Sequence, residues 1–166
     1  VIRIMTFGDS DDDDDISHEN DDEEESSASL LANVHLIKDW KMCDHHNTPP
    51  ITEKDIETHF LFSKSVTGRK RMCNRQIVKA KRFCEERYVG QCELGNVNDK
   101  VYVRAKCRPS MKSIVYVNGK KEKCYNITVV LQQNGKVVMG NCTCKAGVSG
   151  VCSHVGGLLF TLIKLT

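Results

Sequence analysis

The sequence predicts an α+β fold: a small antiparallel β-meander ending in a clamped ββα unit, preceded by short helices and a disordered acidic tail. Three observations carry this. Apolar residues recur at helical spacing in the first half, the period shortens to two after Tyr88, and helical spacing returns after Val151. The 166 residues, 40% hydrophobic, suffice for one ordinary domain with an extension. The expected organisation is a tail over 1–29, a helical basic region over 30–87, and the meander with its terminal unit over 88–166.

The formal charge of +2 conceals an asymmetry: Asp9 to Glu25 holds 12 of the 22 acidic residues and no basic one. Such a segment buries too little apolar surface to offset the entropy of ordering. It reads as a solvated linker, with electrostatic shielding or binding of a basic partner as alternatives. Residues 26–166 carry 23 Lys and Arg against 10 Asp and Glu, or +13, a balance that attracts nucleic acid or another anionic partner.

Leu30, Leu31, Val34, Ile37 and Trp40 fall on one helical face, so Leu30 to Lys41 is expected to form an amphipathic helix. Thr48-Pro49-Pro50 interrupts helix, and Thr52 to Asp55 resembles a capping box that starts a second helix near Glu53 to Ser63. Thr67 to Arg87 is dense in cations. Arg69, Lys70, Arg71, Arg75, Lys79, Lys81 and Arg82 are the candidate nucleic-acid contacts, with a solvated basic helix or a nuclear import signal as the alternatives.

Tyr88 to Cys92, Lys100 to Cys107, Tyr125 to Leu131 and Lys136 to Met139 are rich in Val, Ile, Tyr and Thr and are predicted strands. Gly95-Asn96, Asn98-Asp99, Asn118-Gly119 and Asn134-Gly135 read as the turns between them, the last as a two-residue hairpin.

Nine cysteines, an odd number, fit thiols and metal ligands better than a disulfide framework. The tripeptides at Asn126 and Asn141 match glycosylation sequons, the best sequence sign of secretion. No apolar run approaches the roughly 18 residues needed to span a bilayer. The expectation is an intracellular, preferably nuclear, chain. Its start at Val1 and its end within an apolar helical pattern read as a fragment of a longer protein.

Cys142, Cys144, Cys152 and His154 lie within 13 residues, two ligands at the end of the last strand and two in the first turn of the last helix. Thiolate and imidazole donors in that number suit one structural, tetrahedral zinc. Gly147 and Gly150 allow the chain between the pairs to reverse tightly. Ordinary buried thiols with a surface histidine are the alternative. A Cys152–His154 nucleophile pair is poorly supported, because no orienting carboxylate lies nearby in the sequence.

This Cys-x-Cys, seven residues, Cys-x-His pattern, after a strand hairpin and before an apolar helix, resembles the SWIM-type zinc finger over about residues 125–165. The resemblance implies a ββα unit, one structural zinc on those four residues, and a role in binding DNA or protein. More loosely, Cys107 to Lys112 and Ile51 to Ser65 look like segments of animal proteins in which such a finger precedes a viral-recombinase-type nuclease domain. Two departures stand out: Lys145 where many members have Pro, and Gly156-Gly157 in place of an Ala pair.

Cys43, His45 and His46 are a weaker metal candidate, and Trp40 reads as a core anchor before a base-stacking platform. No catalytic constellation is legible, so the expectation is a zinc-binding interaction module rather than an enzyme. Its expected partner is nucleic acid, DNA before RNA, or a protein, and not a membrane or a small-molecule substrate. The alternative is the accessory half of a nuclease or transposon-derived recombinase whose catalytic domain lies outside this sequence.

Overall fold

The computed structural model describes residues 25–62, 74–109, 115–117, 119–122 and 124–166. The fold is α+β, as predicted. The described residues contain helices α1 (Ser27–Asn33), α2 (Glu53–Phe62), α3 (Asn74–Glu85) and α4 (Ser153–Leu165). The strands are β1 (Lys41–Met42), β2 (Glu93–Val97), β3 (Lys100–Cys107), β4 (Val115–Val117), β5 (Lys120–Glu122), β6 (Tyr125–Gln132) and β7 (Val137–Cys142). Five strands form one antiparallel sheet in the order β1-β2-β3-β6-β7, and β4-β5 is a separate hairpin.

Strand alternation divides the sheet into two unlike faces. Val101, Val103, Ala105, Cys107, Ile127, Val129 and Leu131 point into the main core with Ile56 and Phe60 of α2, Ala80 and Phe83 of α3, and Val155, Leu158, Leu159 and Leu162 of α4. On the other face Tyr102, Val130 and Met139 meet Leu30 of α1, with Leu31, Val34, Ile37 and Trp40 packed around them. The sheet therefore has three helices on one side and a short amphipathic segment on part of the other.

Local chemistry explains the helix starts. Thr52 N–H donates to the Asp55 carboxylate at 2.8 Å and Asp55 N–H donates to Thr52 Oγ1 at 3.3 Å, so the capping box forms with Asp at its third position. Ser26 Oγ caps α1 by accepting from Ser29 N–H. The predicted Leu30–Lys41 helix is shorter: it begins at Ser27, tightens into a 3₁₀ turn at Val34–Leu36, and then becomes extended toward β1. A continuous helix would not lay Ile37 across Gly95 and Trp40 beside Arg104. Residues 27–29, predicted as tail, are already helical, and the rest of the predicted tail up to residue 24 lies outside the described residues.

Among the turns, Asn98-Asp99 is one as expected: both residues have positive φ, 49° and 64°, and they make a two-residue β2-β3 hairpin. The β6-β7 turn differs from expectation. Gln132 N–H bonds the Lys136 carbonyl and Gly135 N–H bonds the Gln132 carbonyl, giving a three-residue loop with Gly135 at φ 92°. Gly95-Asn96 is not a turn but the middle of β2, and Tyr88–Cys92 makes only a single bridge, Val89 to Cys107.

Helix α4 is buried from Val155 to Phe160 because it lies between the sheet and the other two helices. Its Gly156-Gly157 pair is what permits this. A Cβ on Gly156 would come within 2.6 Å of the Ala80 Cβ and 3.0 Å of the Phe60 ring, and one on Gly157 within 3.2 Å of Phe83. Replacing Gly by Ala gains about 0.8–1.0 kcal/mol of helix propensity, whereas overpacking costs about 1–3 kcal/mol. Gly156→Ala is thus expected to lower the thermal unfolding midpoint by a few degrees; a higher midpoint would show that α2 and α3 can step back from α4.

Candidate metal centre

The first ligand pair follows from strand geometry. Cys142 ends β7 on the core face opposite Ile127. Thr143 prolongs the pairing, its N–H donating to the Asn126 carbonyl at 3.1 Å and its Oγ1 accepting from Asn126 N–H at 3.0 Å. With a period of two, Cys144 returns to the same side as Cys142. The chain then reverses through a 3₁₀ turn at Gly147–Ser149 and a left-handed Gly150, φ 70°. Gly147 passes so close to the Cys142 carbonyl that any side chain there would collide with it.

The second pair follows from helix capping. Cys152 is the N-cap of α4, and its Sγ accepts from Val155 N–H at 3.4 Å. A thiolate there gains from the helix N-terminus as a carboxylate or hydroxyl cap would. His154 lies in the first turn, its ring 4.6 Å from Tyr125 and 5.4 Å from Phe83. Its Nδ1 is buried and has no hydrogen-bond partner among the described residues.

Ligand atoms of all four residues lie within 4.8 Å of one another. In a tetrahedral site with metal bonds of about 2.0–2.3 Å the donors stand about 3.5–3.8 Å apart, so a small contraction closes them on one ion. The residues fit a metal: three sulfurs and one imidazole form a soft donor set, and a metal bond would satisfy an imidazole nitrogen that otherwise lacks a partner. The predicted ligands are thus brought together as one cluster that can hold a metal ion.

The electrostatics of the cluster are those of thiols sharing one thiolate. Hydrogen bonds from Cys142 and Cys152 hold the Cys144 sulfur far below the usual thiol range, with His154 assisting. Cys142 is pushed far up, first by its hydrogen bond to Cys144. At Cys152 the hydrogen bond from Cys142 lowers the pKa, but its own bond to Cys144 and its burial outweigh that and leave it at about 11. Cys107 packs close by without joining the cluster: burial pushes its thiol to about 12 and its S–H donates to the Arg108 carbonyl at 3.5 Å.

One residue outside the motif also shapes the loop. His59 of α2 is neutral because burial pushes its pKa down, and its Nε2–H donates to the Gly150 carbonyl at 2.8 Å. It lies 91 positions from Gly150, so no local spacing could have identified it.

The other candidates fare differently. Arg69, Lys70, Arg71 and Cys73 lie outside the described residues. Arg75, Lys79, Lys81 and Arg82 are exposed on α3, but Lys81 is ion-paired to Glu53 and Arg82 to Glu86, each at 3.6 Å. Cys43, His45 and His46 do not converge. Cys43 is buried and pushed to about 12 by burial and by Cys92, while the histidine rings are exposed and meet each other tilted, with centroids 3.8 Å apart. Trp40 packs against the second cluster with the Arg104 guanidinium 4.0 Å over its ring. Among the described residues no helix is long and apolar enough to cross a membrane. Comparison with known proteins finds no family model that matches the chain, no similar curated protein and no similar solved structure.

Cys144 is held below the usual thiol range whereas Cys142 and Cys152 are pushed above it, so metal binding is expected to expel two protons from the sulfurs. Between pH 7 and 8 the apparent metal affinity is expected to fall about 100-fold for each unit the pH drops. Proton release measured by indicator dye during metal titration should give two per ion; a value near zero would contradict the shared-thiolate arrangement.

Proposed function

We propose that the chain is a zinc-structured interaction module of the SWIM type that binds nucleic acid. The observation that carries the reading is the convergence of Cys142, Cys144, Cys152 and His154 within 4.8 Å at the junction of β7 and α4. Three thiolates and an imidazole favour zinc, which has no geometric preference of its own and accepts a tetrahedral set of borderline-soft donors. Four protein ligands fill that sphere, which makes the ion a structural clamp rather than a Lewis acid with an open position.

The cysteines of the described residues are free thiols, as a zinc site in a reducing compartment requires, and this supports an intracellular setting. The charge of +13 over residues 26–166 supports an anionic partner such as nucleic acid; DNA is the form expected from the SWIM-type resemblance, with a protein partner as the alternative.

Metal analysis of the purified chain should find one zinc per molecule, lost in a Cys152→Ser, His154→Ala double variant. Zinc retained in that variant would refute the ligand assignment. Affinity for DNA should fall about 10³-fold or more between 50 and 200 mM salt if some six phosphates are contacted. Binding that ignores salt would point to a protein partner instead.

A further inference from the structure

We propose that the helix-free face of the sheet beside the metal loop is the surface on which a single-stranded nucleic acid lies. The proposal rests on the nucleic-acid reading and narrows it to a place and a strand state. Among the described residues, helix α1 and the turn after it cover only the rows around Tyr102, Val130 and Met139. Nearer the metal loop two further rows on the same face carry polar side chains. Glu93, Arg104, Thr128 and Asn141 form one, by direct pairing across β2, β3, β6 and β7. Lys106, Asn126 and Thr143 form the other, and Thr143 lies between the first two metal-site cysteines.

The chemistry of these rows matches an extended polynucleotide. Arg104, Lys106 and Asn126 are exposed, and Lys145 is exposed immediately after Cys144. The only carboxylate on the two rows among the described residues, Glu93, is engaged at 2.7 Å by Arg104. Asn126, Asn141 and Thr128 offer both donors and acceptors, which can read base edges, whereas the lysines offer positive charge to phosphates. The Arg104 guanidinium already stacks on Trp40, and guanidinium planes are stacking surfaces for unpaired bases.

Width decides between single and double strands. Four strands at about 4.8 Å separation give a face about 14 Å across, wider than the roughly 12 Å major groove that takes a single helix or a two-stranded ribbon. A broad sheet cannot enter that groove, but an unpaired strand can cross it with its bases turned down. The alternative surface, α3, has two of its four described cations ion-paired, as Arg104 is here, and its exposed described residues include no amide or hydroxyl that could read bases.

The test uses the full zinc-loaded chain with fluorescein-labelled 16-nucleotide single strands and the matching duplex, read by anisotropy. A Lys106→Glu, Asn126→Asp variant should lose at least ten-fold in single-strand affinity. An Arg75→Glu, Lys79→Glu variant should stay within two-fold, and the wild type should prefer single strand over duplex at least ten-fold. Lysine-acylation footprinting of the unaltered chain, which needs no variant to fold, should show Lys106 and Lys145 protected by the single strand and Lys79 unprotected. Loss confined to the α3 variant, protection of Lys79 alone, or duplex bound as tightly as single strand would overturn the assignment while leaving nucleic-acid binding intact. A wild type that binds neither strand form would overturn nucleic-acid binding and this surface with it.

Discussion

Cys152 caps the central helix and at the same time belongs to the donor cluster, so the placement of α4 and the geometry of the site are one constraint. Helix α4 supplies Val155, Leu158, Leu159 and Leu162 to the core, each fully buried. Complete burial of such a side chain is worth about 1.5–3 kcal/mol. The core sets the axis of α4, and the axis sets where Cys152 Sγ and the His154 ring stand relative to the end of β7. A metal drawn to these donors would therefore bond the helix to the strand at a point where packing has already brought them together.

Two features extend that constraint into the upstream half of the chain. The Gly156-Gly157 step lets α3 and α2 approach α4 closely, with Ala80 and Phe60 against the first glycine and Phe83 against the second. Phe83 then stacks on the His154 imidazole, and His59 holds the Gly150 carbonyl. The residues around the cluster therefore come from α2, α3 and β6 as well as from the motif. The Gly156-Gly157 pair is thus a packing requirement rather than a weakness in the helix.

What the sequence made legible was what local chemistry decides. The capping box at Thr52 and Asp55, the hairpin at Asn98-Asp99 and the four donors all depend on residues within about a dozen positions of one another. What escaped depended on distant partners. Gly95-Asn96 has turn composition, yet it lies between β1 or the Ile37 segment and β3, and a glycine is needed at 95 because Ile37 occupies the space of a Cβ. Tyr88–Cys92 has strand composition but meets the sheet only at Val89. The charge run of α3 was visible, but its pairing to Glu53 depends on how α2 and α3 lie against α4.

The remaining cysteines show how one chain separates ligands from bystanders. Cys43, Cys92 and Cys107 are each buried with their thiol pushed to between about 11 and 12, chiefly by burial. Within the cluster the same burial acts on Cys144, but hydrogen bonds from two neighbouring thiols, with His154 assisting, reverse its effect. Cys142 and Cys152 are pushed up as the bystanders are, so geometry selects the donors: ligand atoms of four residues lie within 4.8 Å of one another, and a metal held there would need all three sulfurs as thiolates. Cys107 lies outside that group, its S–H turned to the Arg108 carbonyl within the apolar core.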